Sequence, residues 1–325
     1  MPTSQYAVQA TGVRKRYGET VALDDFDLAV PHGTVHGLLG PNGAGKTTAV
    51  RILTTLTRLD EGVARVAGHD VRTEPRLVRR RIGLTGQQTA VDDVLTARQN
   101  LTMFGRLFRV SKASAARRAD ELLDQFGLAD AANRSPKKFS GGMRRRLDLA
   151  ARIILAPEVL FLDEPPTGLD PAGRGEVWQV VRDLAARGTT VLLTTHYLDE
   201  ADKLCDRISV IDRGTNVVED TPTGLKRRIG NERLEIVAGE RADLAVVAEL
   251  AAKAGSDDSA ASVDDEGLAV SVPVVDGVRA LTEVAAELRS RDVLVADIGL
   301  RRPTLDEAFL QLTGQSPSAQ EEVVR

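Results

Sequence analysis

The chain has 325 residues and little of what would place it outside the cell or within a membrane. Cys205 is its only cysteine, which excludes an intramolecular disulfide. With no C-x-x-C pair and only His32, His36, His69 and His196, no structural zinc site is expected. The longest apolar run, Leu268 to Val275, contains Ser271 and Pro273 and falls well short of the about 20 residues of a membrane-spanning helix. The opening MPTSQYAVQA lacks both the basic and the apolar segment of a secretory signal. Nor does one sign of charge dominate. Against 47 Asp+Glu stand 43 Lys+Arg, a net −4, so no global positive field draws in nucleic acid. The expectation is a cytosolic protein that reaches any membrane through a partner and has no direct contact with nucleic acid.

What is present is the composition of a soluble globular protein, 42% hydrophobic and 28% charged, long enough for two domains. Five short runs rich in Leu and β-branched residues read as buried strands: 35–40, 81–86, 159–164, 189–195 and 207–212. Helical patterns lie between them, as at 175–188, where Val177, Val180, Val181 and Leu184 share a face. This predicts an α/β domain over 1–224 with a mostly parallel sheet, interrupted at about 90–155 by a helical subdomain. After Gly224 a shorter rhythm predicts strands at 233–238, 267–272 and 292–298 and helices at 242–254, 276–290 and 304–313. We read 225–314 as a small α+β accessory domain of the ferredoxin-like kind, and the polar 315–325 as a disordered tail.

Two motifs carry chemistry. GPNGAGKTT, Gly40 to Thr48, fits G-x-x-x-x-G-K-[ST] between a strand and a helix. Gly40, Pro41, Asn42, Gly43, Ala44 and Gly45 would wrap a phosphate chain with backbone N–H groups, aided by the helix N-terminus. Lys46 would reach the β- and γ-phosphates, with Thr47 on Mg²⁺ and Thr48 completing the helix start. VLFLDEP, Val159 to Pro165, is an apolar strand ending in two carboxylates. Asp163 suits Mg²⁺, and Glu164 suits orienting an attacking water.

P-loop, then FSGGM (139–143), then the D-E-P strand, then a strand ending in His196 is an order that resembles the ATP-binding cassette (ABC) ATPases. That resemblance implies the P-loop NTPase cassette fold, with ATP and Mg²⁺ as cofactors. It implies adenine stacking on Tyr17, Gln87 contacting Mg²⁺ and the water, and a γ-phosphate-sensing His196. Glu164, His196 and Gln87 would be the catalytic set, and Thr47, Gln87 and Asp163 the metal ligands. In a head-to-tail homodimer, Ser140, Gly141, Gly142 and Asp170 of one chain would close over ATP held by the other. Two departures stand out: Met143 replaces a residue that can hydrogen-bond, and Pro166 stiffens the turn after Glu164.

The 94 residues from Lys46 to Ser140 leave room for a compact helical subdomain but not for a coiled coil, and only one P-loop is present. The stretches GLTGQ, VDDVLT, SGGMRRRLDLAA, TTVLLTTHYLDEADKL and TLDEAFLQLTG together resemble the ATP-binding subunits of daunorubicin-resistance exporters. This implies efflux of a hydrophobic drug through a separate membrane permease, with the chain peripheral at the cytoplasmic face. An importer cassette or a soluble, non-transport ABC ATPase are the alternatives. Arg144, Arg145 and Arg146 follow the glycines on a helix whose apolar positions are Met143, Leu147, Ala150 and Ile154. Arg144 and Arg145 fall off that face and are expected in solvent.

Overall fold

The computed structural model describes residues 5–85, 90–163, 171–195, 197–228, 232–255, 261–264, 268–302 and 304–313. The chain divides into two compact units, Met1–Pro222 and Thr223–Arg325. The first begins with β1 (Tyr6–Tyr17), β2 (Thr20–Pro31), β3 (Val35–Leu39) and α1 (Lys46–Leu53). Then come β4 (Glu61–Val66), β5 (His69–Asp70), α2 (Pro75–Arg81) and β6 (Ile82–Thr85). Three helices follow with no strand between them among the described residues: α3 (Ala97–Leu107), α4 (Lys112–Gln125) and α5 (Gly141–Arg152). The unit closes with β7 (Val159–Asp163), α6 (Pro171–Ala186), β8 (Thr190–Thr195), α7 (Leu198–Leu204), β9 (Arg207–Asp212) and β10 (Thr215–Asp220).

The five apolar runs become neighbours in one sheet of order β10-β9-β3-β8-β7-β6. All its pairings are parallel except that of the edge strand β10. Every residue of β3 and β8 is buried, which is why these strands lack polar alternation. A second sheet, β2-β1-β4-β5, is antiparallel. The sequence reading did not separate it, because β1 and β2 alternate buried and exposed positions and carry charges such as Arg14, Lys15, Asp24 and Asp25. Val8 and Phe26 from this sheet, Ile52 and Leu53 from α1, and Phe161, Leu192 and Ile211 from the parallel sheet share one core. That core holds α1, and with it the end of the glycine loop, in a fixed place.

α8 (Pro222–Arg228) leads into the second unit, β11 (Arg233–Ala238), α9 (Leu244–Ala254), β12 (Ser262–Asp264), β13 (Ala269–Pro273), α10 (Gly277–Ser290), β14 (Val295–Arg301) and α11 (Leu305–Thr313). Its sheet is antiparallel throughout, with order β12-β13-β11-β14. The chain therefore runs β-α-β-β-α-β, the connectivity of ferredoxin-like units. β12 was not foreseen: its three residues are all exposed and present no apolar alternation. Val247, Leu250, Val284 and Leu288 of α9 and α10 pack with Leu234, Ile236, Val270 and Val272 of the sheet. α11 starts on a reciprocal cap in which Glu307 N donates to Thr304 Oγ1 and Thr304 N to Glu307 Oε2. Leu305, Ala308 and Phe309 of α11 are buried.

One buried polar cluster makes the first unit sensitive to acid. His36 in β3 is fully buried, and its Nε2 lies 2.8 Å from Ser209 Oγ of β9. Ser209 donates in turn to Glu219, which also accepts from Arg207. Burial first, and then the nearby Arg207 charge, push the imidazole down from 6.5 to about 4, with Asp206 opposing. His36 is therefore neutral in the fold, whereas the unfolded chain takes up the proton at the ordinary value. Stability from this site is complete above about pH 6.5 and is lost as pH falls toward 4, because the unfolded state protonates first. The shift corresponds to about 3 kcal/mol. Denaturant midpoints measured from pH 7 to pH 4 should fall more steeply for the wild type than for His36→Gln, by about that amount. Parallel slopes would show that His36 is not held neutral.

Candidate nucleotide site

The glycine loop leaves the carboxyl end of β3 and enters α1 at Lys46. Two of its glycines sit where no side chain fits. A Cβ on Gly40 would lie 2.2 Å from Ile211 O. One on Gly45, at φ 110°, would lie 2.5 Å from Ala22 O and 2.9 Å from Leu23 Cδ2. The loop is thus clamped between β2 and the end of β9. It is closed by Ala44 N donating to Pro41 O at 3.2 Å and by Gly214 N donating to Ala44 O at 2.9 Å. Asn42 and Gly43 form its exposed tip.

Lys46 is only 5% exposed, and its Nζ donates to Gly40 O at 2.7 Å and Pro41 O at 3.0 Å. The ammonium is therefore already inside the ring that the loop forms. Ala49 N is bonded back to Gly45 O at 2.9 Å. The N–H groups of Thr47 and Thr48 belong to the first turn, whose donors point out of the helix start rather than along it. The Thr47 side chain is exposed at the same end, and Thr48 is half-buried. A buried cation, first-turn N–H groups and the positive helix terminus converge on one spot, an arrangement that suits a phosphate chain.

Asp163 ends β7, half-buried, and its Oδ1 accepts from Thr194 Oγ1 of β8 at 2.6 Å. β8 lies between β3 and β7 in a parallel register, so Asp163 and the loop leave the same edge of the sheet. Two strand spacings, about 10 Å, separate β3 from β7 there. β8 itself ends at Thr195, directly before His196. The sequence reading missed Thr194, which orients Asp163. Its only signal was a pair of hydroxyls at the carboxyl end of a strand whose middle is apolar.

Tyr17 ends β1 at the hairpin to β2, an exposed residue with Lys15 Nζ 5.3 Å from its ring centroid. β2 carries Ala22 and Leu23 against Gly45, so the hairpin and the glycine loop share a border. Ser140 is the N-cap of α5, its Oγ accepting from Met143 N at 3.2 Å, and Gly141 and Gly142 form the first turn. The helix start is capped by the motif serine itself. Gln87, Glu164, Asp170 and His196 lie outside the described residues, as does Pro166.

The arginines after the glycines need a correction. Arg144 is partly exposed and paired with Asp93 at 2.6 Å, but Arg145 is buried, with its Nη1 3.5 Å from Asp148 Oδ2. α5 packs against α3, α4, α6 and β6, which leaves little of it facing water. Burial pushes the Arg145 guanidinium below its ordinary value, and Asp148 opposes that shift. Arg146 reaches Phe126 O at 3.0 Å and Glu176 at 3.3 Å. These are structural contacts within the fold.

A phosphate-cradling loop on the central strand of a parallel sheet, an acid two strands away and a Ser-Gly-Gly helix cap on a helical insert define an ATP-binding cassette. A family model described as ABC transporter matches residues 23–167. Daunorubicin resistance ATP-binding protein DrrA2 of Streptomyces coeruleorubidus is 62% identical over 309 residues, 95% of each chain. The DrrA3 protein of the same organism is 52% identical, over 97% of this chain and 98% of its own. Among solved structures, a dimeric post-hydrolysis ATP-binding cassette bound to ADP and phosphate is similar, with 27% identity and a TM-score of 0.58 over 66% of this chain and 98% of its own. The chain belongs to the ATP-binding subunits of the daunorubicin/doxorubicin-resistance family of ABC transporters, and it is an ATPase of the cassette type.

Proposed function

We propose that this chain is the ATP-hydrolysing motor of an exporter for a hydrophobic, anthracycline-like antibiotic. It works as a head-to-tail pair of identical cassettes on a separate permease at the cytoplasmic face of the membrane. The observation that carries this reading is the extent of the likeness. Identity of 62% runs over 95% of both chains, well beyond the cassette residues 23–167 and into the second unit. That relative's name concerns daunorubicin resistance, which gives the chemical class of cargo. In this reading residues 1–224 are the motor and 225–314 an accessory domain. The permease supplies the path through the bilayer, and no described helix is long and apolar enough to cross a membrane.

ATP would lie on the glycine loop, with Lys46 on its β- and γ-phosphates and Tyr17 against adenine. Mg²⁺ fits the residues present. Among the described residues no group of three or more His, Cys, Asp or Glu could hold a metal alone, and an ion shared with phosphates needs only one or two protein ligands. Thr47, Asp163 and Gln87 would hold it, and bound there it neutralises charge on the phosphates. Glu164 orients the water, and His196 senses the γ-phosphate. Ser140, Gly141, Gly142 and Asp170 of the second chain close the site, so that ATP binding becomes a movement the permease can feel.

Export is tested in cells expressing the chain with its permease. Steady-state daunorubicin fluorescence should fall relative to permease alone, and Glu164→Gln should restore it. If accumulation falls equally with the hydrolysis-deficient motor, the chain does not drive efflux.

A further inference from the structure

α1 ends in a tight cap that puts a threonine where glycine is usual. Leu56 N donates to Arg51 O at 2.8 Å and Thr55 N to Ile52 O at 2.9 Å, the paired bonds of a Schellman turn. In such a turn the residue after the C-cap is left-handed, and glycine most often fills it. Here it is Thr55, at φ 64°, a conformation that a β-branched side chain resists. What threonine supplies and glycine lacks is a hydroxyl, and Arg79 Nη1 donates to it at 2.9 Å.

Thr55 and Arg79 line a cavity of about 190 Å³ together with Arg58 and Arg72, with buried Leu59 and Val71 in its wall. Among the described residues no Asp or Glu lines it. Arg72 Nη2 donates to a backbone oxygen, Asp60 O, at 3.3 Å. Arg58 has no hydrogen-bond or ion-pair partner among the described residues. The acids nearby in sequence are engaged elsewhere. Asp60 accepts from Lys15 Nζ and Arg16 N, Asp70 from Arg72 N and Thr73, and Glu74 from Asp70 N beside His69. Arg81, on the same helix as Arg79 but outside the cavity, does pair with a carboxylate, that of Glu158. The negative end of α1 is also satisfied, since Val50 O accepts from Thr54 and Arg51 O from Leu56 N and Thr57 N. Three guanidiniums around one recess repel one another unless an anion fills it. Arginine forks match the oxygens of a tetrahedral oxyanion, and the space holds one with a few waters.

We infer that this cavity binds a phosphate group, free or on a lipid headgroup, through Arg58, Arg72 and Arg79, with the Thr55 hydroxyl holding Arg79 in place. The site is separate from the nucleotide. α1 spans 8 residues, about 12 Å, with the glycine loop at one end and this cavity at the other. The inference goes beyond the motor reading and does not depend on it.

The test is isothermal titration of inorganic phosphate into the full-length chain, with a non-hydrolysable ATP analogue and Mg²⁺ saturating the glycine loop. Binding should be saturable, and Arg58→Gln/Arg79→Gln should weaken it at least about tenfold. Arg76→Gln/Arg80→Gln removes the same charge from outside the cavity and should bind like the wild type. Thr55→Gly keeps the turn but removes the hydroxyl. It should bind phosphate several-fold more weakly with no loss of melting temperature, which a purely structural defect would not give. Flotation with vesicles of phosphatidylcholine and phosphatidylglycerol in equal parts distinguishes the source. Capture lost in Arg58→Gln/Arg79→Gln and kept in Arg76→Gln/Arg80→Gln assigns the site to a lipid headgroup. Phosphate binding without such capture assigns it to free phosphate. Absence of both, phosphate binding that survives in Arg58→Gln/Arg79→Gln, or equal loss in the two double variants overturns the proposal.

Discussion

Lys46→Ala is expected to give a folded protein that no longer captures ATP, with affinity weaker by at least about 100-fold in a fluorescent-nucleotide titration. Lys46 is the only charged residue between Gly40 and Thr48, so nothing else in the loop opposes the negative charge of a triphosphate. Its Nζ is already held inside the loop by Gly40 O and Pro41 O. Binding therefore exchanges carbonyl acceptors for phosphate oxygens without reorganising the side chain. Each charge-assisted hydrogen bond contributes about 1.5–3 kcal/mol, and two of them set the expected loss. The helix terminus left behind contributes only about 0.3–1 kcal/mol and cannot compensate. The loop also loses an internal clamp, so the melting temperature should drop by a few degrees. A circular-dichroism melt recorded beside the titration separates that effect from lost binding. Unchanged nucleotide affinity in a folded variant would mean that the loop does not hold phosphates.

The loop was legible because its chemistry is local: glycines, a lysine and a hydroxyl at fixed spacing between a strand and a helix. The five strands of the parallel sheet were legible because burial on both faces leaves near-continuous apolar runs. The antiparallel sheet was not. Only one face of β1 and β2 meets the core, and their polar positions broke the pattern that the other strands offered. Arg145 and Asp148 were illegible for a related reason. Helical periodicity identifies one apolar face, but it does not show that α3, α4, α6 and β6 enclose α5 from several sides. A buried ion pair on one helix turn looks like a solvated one in the sequence. The bond from Ala90 to Asp148 spans 58 residues, and no local pattern predicts it. In the second unit, the apolar positions of 267–272 marked β13, whereas the exposed β12 gave no signal.

Glu164→Gln is expected to keep ATP binding and lose hydrolysis, with kcat down by about 10²–10³, or about 2.7–4 kcal/mol of barrier. The exchange is nearly isosteric and removes only the negative oxygen that would orient the attacking water. The neighbouring acid is unaffected, since Asp163 is held separately by Thr194. Metal affinity should therefore stay close to wild type, and the deficit should appear in kcat rather than in KM. The same variant reports on assembly. If binding drives two chains together and hydrolysis releases them, blocking hydrolysis traps the closed pair. Gel filtration in ATP and Mg²⁺ should then show a dimer for Glu164→Gln and monomer for Lys46→Ala, which fails before closure. Opposite behaviour in these two variants is a signature that neither a general loss of fold nor a shift in metal binding can produce. Turnover near wild type in Glu164→Gln would remove that residue from the chemistry. A variant that is inactive but monomeric in ATP would leave hydrolysis intact as a reading while sinking closure by Ser140–Gly142 of a second chain.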